Sequence, residues 1–153
     1  MRSLGHNLLR GEIAAIIGNH SRDSAGVAVL GPGVVPRVRA DCNFCIPDVG
    51  VTGDPVVPDG YILPNPILLV EILSPSNQSE TWSNVWTYTT IPSVQEIFVV
   101  RTSSTRADLL RRRPDGSWPE VPEMIVGGTP MLGSIGLAVE LTALYRGTRQ
   151  AAA

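Results

Sequence analysis

The sequence predicts an α/β sandwich, a central mixed β-sheet flanked by helices, and three observations carry that prediction. Ile67-Leu68-Leu69-Val70-Glu71-Ile72-Leu73 is a nearly unbroken apolar run without alternation, the pattern of a strand covered on both faces. Helical spacing brackets it, upstream in 3–20 and downstream in 78–89. Short β-rich runs separated by Gly and Pro fill most of the remainder. Helices on either side of a strand covered on both faces define a layered α/β domain.

The elements follow in order. In Ser3 to His20, Leu9, Ile13, Ile16 and Ile17 recur at helical spacing, with His6 and His20 near the same stripe. A histidine there is ordinarily a packed or capping residue. Ala25 to Leu30 and Val34 to Ala40 are strand-like and split by the turn signal Gly31-Pro32-Gly33. Phe44 to Val51 reads as a further strand with an irregularity at Pro47. Thr52 to Asn65, rich in Pro, Gly and Asp, reads as a surface loop. After the central strand, Gln78 to Thr89 places Trp82, Val85 and Trp86 on one helical face, expected toward the sheet, and Glu80, Asn84 and Tyr88 on another. Pro92 ends that helix. Val94 to Arg101 and Ala107 to Arg112 are strands, Pro114-Asp115-Gly116 is a hairpin-type turn, and short strands lead to an apolar turn at Leu141 to Tyr145. The link from the central strand through the second helix should join parallel strands.

A chain of 153 residues is the length of one domain. We assign 1–146 to it and expect 147–153 to be a flexible tail. No run of eighteen apolar residues occurs, which argues against a membrane span. No leader pattern opens the chain, so the expected compartment is the cytoplasm. A net charge of −2 argues mildly against broad phosphate binding, which needs local basic patches. All twelve basic residues are arginine, and the chain contains no lysine. Arg111-Arg112-Arg113, with Arg106 nearby, is the basic cluster; it could grip phosphate, although a solvated strand edge is the commoner explanation. Cys42 and Cys45 form a C-x-x-C pair with no histidine close in sequence, and two reduced thiols are preferred to a zinc or redox site.

Two acids stand out. Glu71 lies inside the most apolar strand, where an unpaired carboxylate costs several kcal/mol, so a partner, a proton or a metal is expected. Its structural alternative is pairing with an arginine such as Arg101. Of the Pro-Asp pairs, only Pro47-Asp48 opens onto an apolar strand, Val49-Gly50-Val51. A strand aspartate followed, a loop later, by a strand-embedded glutamate can bind divalent cations through hard oxygen ligands.

Ile46-Pro47-Asp48-Val49, Pro66 to Ser76 (PILLVEILSPS), Tyr88 and Ile91-Pro92-Ser93-Val94-Gln95-Glu96 together resemble the Uma-two restriction endonuclease family of the PD-(D/E)XK nuclease superfamily. That family also carries an upstream helical histidine, to which His6 compares. The resemblance implies a restriction-endonuclease-like sandwich acting on DNA with Mg²⁺ or Mn²⁺. Asp48 and Glu71 would hold the metal, and the carbonyl of Ile72 would be a further ligand. The sequence departs from the pattern at the lysine two residues after the glutamate, where Leu73 stands. A relocated helical lysine aligns with Asn84, which enters the candidate catalytic set as a residue that could orient water, and the helical aspartate falls near Glu80 or Thr81. Relatives usually begin one strand earlier, with a glutamate there; Glu12 is a candidate substitute. Arg101 or Arg10 could supply charge, but not a base, because arginine stays protonated. The expectation is therefore weak nuclease activity at best, and the alternative is an inactive scaffold acting as a homodimer or a nucleic-acid-binding module.

Overall fold

The computed structural model describes residues 2–22, 28–30 and 45–149. The strand-like run 34–40, the turn at Gly31-Pro32-Gly33, Cys42 and the last residues of the tail lie outside them. The first helix, α1, spans Leu4–Arg22 and begins at Ser3, whose hydroxyl accepts the His6 N–H at 3.1 Å and so caps its first turn. Strands β1 (Ala28–Leu30), β2 (Val49–Thr52) and β3 (Pro66–Leu73) pair antiparallel in succession. Helix α2 (Gln78–Tyr88) then crosses to β4 (Glu96–Arg101), which runs parallel to β3, and β5 (Ala107–Arg111) and β6 (Glu123–Ile125) return antiparallel. The spatial order β1-β2-β3-β4-β5-β6 puts the predicted central strand in the interior of a mixed sheet. A small ribbon, β7 (Met131–Leu132) with β8 (Leu137–Ala138), and a 3₁₀ turn at Leu141–Tyr145 complete the chain. No helix among the described residues is long and apolar enough to cross a membrane.

The alternation of β3 explains why its sequence is apolar throughout. Leu68, Val70 and Ile72 face one core, shared with Leu9, Ile13 and Ile17 of α1 and with Leu141, Leu144 and Tyr145. Leu69 and Leu73 face a second core, shared with Val85 and Tyr88 of α2 and with Ile97 and Val99. Both sheet faces are covered, and Glu71 falls between Leu69 and Leu73 on the α2 side.

The orientation of α2 differs from expectation. Its buried residues are Thr81, Val85 and Tyr88; Trp82 is only partly packed, and Trp86 is 38% exposed. The helix is rotated by about a quarter turn from the predicted face. Aromatic size pointed to the tryptophans, but the position over Glu71 goes to Tyr88, whose hydroxyl can satisfy a buried carboxyl where an indole N–H on the neighbouring face could not reach. Phe44 lies outside the described residues, and the described remainder of the predicted strand Phe44 to Val51 pairs over a shorter stretch than expected. Regular pairing starts at Val49, because Pro47 has no N–H to contribute, and it runs on through Thr52 across a register shift.

Candidate active site

Asp48 sits at the entrance of β2, and both its backbone and its side chain are tied to β3. Its N–H donates to the Val70 carbonyl at 3.1 Å, and its Oδ2 accepts the Ile72 N–H at 2.8 Å. The carboxylate thus takes an N–H from the neighbouring strand just where the ladder of β2 gives out. The second oxygen, Oδ1, lies 3.0 Å from Nε2 of His6, a side chain 1% exposed on α1. The contact is close but poorly aligned for a hydrogen bond, and Nδ1 of His6 has no partner. Burial alone would push the Asp48 carboxyl up. The His6 ring and the Ile72 N–H outweigh it and hold the carboxyl below the ordinary aspartate value.

Glu71 has the opposite balance. It is 4% exposed, and its Oε1 accepts the Tyr88 hydroxyl at 2.6 Å. Its carboxyl is also within hydrogen-bonding reach of Asp48. Burial pushes the Glu71 carboxyl well above the usual range. The Tyr88 bond opposes that shift, the neighbouring Asp48 charge adds to it, and the Arg2 guanidinium eases it slightly. Tyr88, driven up by its own burial and by Glu71, stays protonated and acts as a donor.

The other buried acids on the sheet are matched by cations. Asp108 takes Arg101 Nε at 2.9 Å and Arg106 at 3.4 Å. Glu96 takes Arg111 Nε at 3.1 Å and the N–H groups of Gly133 and Ser134 at 3.1 and 2.5 Å, which fasten the turn between β7 and β8. Glu71 instead has a phenol and another acid as its close partners, and Arg101, its expected structural partner, is committed to Asp108.

A family model described as "Uma2: Putative restriction endonuclease" matches residues 2–141. The chain belongs to the Uma2 family. Among solved structures it is similar to a crystal structure of a "putative nuclease belonging to DUF820" from Anabaena variabilis, with TM-score 0.77 and 16% identity over 95% of this chain and 83% of that one. At that identity the likeness establishes the fold. No curated protein matches.

Within this Uma2 chain the remaining candidates separate. The backbone of Ile72 lies in the site, with its N–H on Asp48 and its carbonyl facing the Asn77 amide at 3.4 Å. Asn84 is one helical turn before Tyr88; its Oδ1 accepts the Cys45 thiol at 3.6 Å, and no hydrogen bond joins it to either carboxyl. Glu12 does not join the pair, since no group of three or more His, Cys, Asp or Glu side chains suited to a metal forms among the described residues. Each arginine of the cluster has partners within the fold. Arg111 holds Glu96; Arg112 donates to the Ile91, Val94 and Gly116 carbonyls and lies 4.9 Å above the Trp118 ring; Arg113 donates to Ser117 and Trp118. Residue spacing alone read His6 as a packed or capping residue and put Tyr88 on the helix face away from the sheet, and only the family motif marked them. Arg2 and Asn77 carried no sequence signal.

Proposed function

We propose that this protein is a divalent-metal-dependent DNA endonuclease whose active site lacks the usual lysine. The observation that carries this reading is the Asp48–Glu71 pair: two buried acids side by side, one of them driven toward its neutral form, on a sheet where Glu96 and Asp108 are each matched by arginine. A divalent cation is the partner that would satisfy two such acids together. The donor set suits Mg²⁺ or Mn²⁺: two carboxylates and the Ile72 carbonyl offer hard oxygens, and magnesium retains several waters rather than requiring a full protein cage. Asp48, Glu71 and the Ile72 carbonyl would hold the ion, with Asn77 releasing that carbonyl. When bound, the ion would polarise the phosphate and lower the pKa of a coordinated water.

The chain's own residues perform the other tasks. Tyr88 fixes the Glu71 carboxyl, and His6 with the Ile72 N–H fixes Asp48, so both acids are held in place before the ion arrives. Asn84, beside Tyr88 on α2, can orient a water and supplies no charge. The scaffold reading keeps one observation in its favour, the absence of lysine from the whole chain. Calorimetric titration of Mn²⁺ and nicking of supercoiled plasmid, each with wild type and Asp48→Asn, distinguish the two. Binding and nicking that both vanish in the variant support the enzyme; neither in wild type leaves the scaffold.

A further inference from the structure

A cleft of about 260 Å³ opens between the N-terminus of α1 and that of α2, joined to the acidic pair through His6, which lines it and lies 3.0 Å from Asp48. Arg2 and His6 line one side, and Ser74, Ser76 and Asn77 line the other, with Glu80 at the rim. Ser74 to Asn77 form a turn closed by the Asn77 N–H on the Ser74 carbonyl at 3.1 Å, with Pro75 at its second position. Asn77 starts α2 but does not cap it. Its Oδ1 turns back to the Ser74 N–H at 2.7 Å, and no side-chain bond satisfies the first N–H groups of the helix. A helix start left open in this way favours an anion.

Two further observations point to a ligand. His6, 1% exposed, lines the cleft with Nδ1 lacking any partner. Arg2 makes no hydrogen bond or ion pair among the described residues, whereas Arg101, Arg106 and Arg111 are each bound to a buried carboxylate. Arg2 is also the arginine whose charge is felt at Glu71. A free guanidinium, an uncapped helix start and two serine hydroxyls on a small cleft form a seat for a tetrahedral oxyanion. Glu80 opposes it, but sits exposed at the rim and is free to swing into solvent.

Building on the nuclease reading, we propose that this cleft seats the reacting phosphodiester, with Arg2 as the positioning cation. Arg2 would neutralise phosphate charge at the acidic pair, and the Ser74 and Ser76 hydroxyls with the open N–H groups at the start of α2 would hold the non-bridging oxygens. Arginine meets the charge requirement of the missing lysine and leaves its proton-transfer requirement unmet.

The test compares wild type, Arg2→Gln and Arg2→Lys. Plasmid nicking in Mn²⁺ is expected to fall about 10²-fold or more in Arg2→Gln, the scale of losing one preorganised anion donor, and to recover in part in Arg2→Lys. Binding of a short duplex is followed in EDTA and rising KCl on the Glu71→Gln background, so that no metal intervenes. There Arg2→Gln should lower the log–log salt slope by about 0.9, the signature of one lost phosphate contact, and Arg2→Lys should keep it. Mn²⁺ affinity should not fall in Arg2→Gln, because the change removes a competing cation; a merely structural role would lower it. An unchanged salt slope overturns the proposal whatever the nicking rate, and leaves the nuclease reading standing. A wild type that neither binds Mn²⁺ nor nicks overturns the nuclease reading and this seat with it.

Discussion

Replacing Glu71 by glutamine should make the metal-free protein more stable while removing its function. Gln is isosteric with Glu: its oxygen can still accept the Tyr88 hydroxyl, which lies 2.6 Å from the native oxygen, and its amide can donate to Asp48. What disappears is a buried negative charge beside another acid. Relief of one poorly matched buried polar group is worth about 1–3 kcal/mol, and for a chain of this size that is roughly 3–9 °C in Tm at about 3 °C per kcal/mol. The gain should depend on pH with a defined sign. The folded-state pKa of Glu71 is raised above its ordinary 4.5, so its contribution to stability is fully present below 4.5 and is lost as pH rises through the folded value. Thermal melts in EDTA should therefore show wild type and Glu71→Gln converging near pH 4.5 and separating toward pH 8, with the variant higher. Saturating Mn²⁺ should reverse the order, since a ligand at a hundred times its Kd adds about 2.7 kcal/mol to the form that binds it. If Glu71→Gln melts below wild type in EDTA at pH 8, Glu71 is a structural residue and the functional argument built on it fails.

Other outcomes follow from the same geometry. Asp48→Asn should abolish the calorimetric Mn²⁺ signal and plasmid nicking together. Tyr88→Phe should cost about 1–3 kcal/mol in urea unfolding, because it leaves the buried Glu71 oxygen without its donor and moves the Glu71 carboxyl further up. Val85→Ala, in the sealed core, should destabilise by about 1–3 kcal/mol, while Trp86→Ala should stay within about 0.5 kcal/mol; the reverse order would mean that α2 is rotated back to the face its tryptophans suggested. Nicking by the wild type should be slow even with excess metal, because general acid–base help worth about 10²–10⁴-fold is absent from a site without lysine.

The sheet was legible because its strongest signal was local. An unbroken apolar strand has few alternatives to the middle of a covered sheet, and helical periodicity on either side fixed the layers. The site was legible in part for a related reason. A carboxylate within such a strand is costly enough to mark Glu71, and one Pro-Asp pair that opened onto a strand marked Asp48. The parts that sequence did not give depend on contacts between elements distant in the chain. His6 reaches Asp48 from α1, and Tyr88 reaches Glu71 from α2. An amphipathic reading sees His6 only as a residue near an apolar stripe, and puts Tyr88 on the face away from the sheet with Glu80 and Asn84. The Trp82 and Trp86 error has the same origin, because hydrophobic size orients a helix only until a polar group must be satisfied beneath it. For the arginine cluster the sequence already favoured a strand edge over a phosphate grip, and the separate carbonyl, carboxylate and indole partners of the three cations agree with a structural role.

The absence of lysine can be divided into its chemical consequences. In a phosphodiester-cleaving site a lysine beside the acidic pair can neutralise developing phosphate charge and can exchange a proton with the attacking water. The first duty needs only a fixed cation, and Arg2, which lines the cleft, is the residue we propose for it. The second needs a group that can titrate, and a guanidinium does not. Glu71, the acid whose proton affinity is raised, would serve as a metal ligand once an ion is present and so could not also act as the base. Asp48 is held ionised by His6 and the Ile72 N–H and is a poor proton acceptor. Tyr88 is locked in its protonated form. On that proposal, Arg2 and the start of α2 would supply binding and charge neutralisation, while proton removal from water would fall to the metal, to solvent hydroxide or to His6, the buried titratable side chain of the cleft left over from this division. A site built this way would hold a phosphodiester more effectively than it hydrolyses one, which is why metal affinity and DNA affinity, rather than turnover alone, are the measurements that separate a slow nuclease from a scaffold.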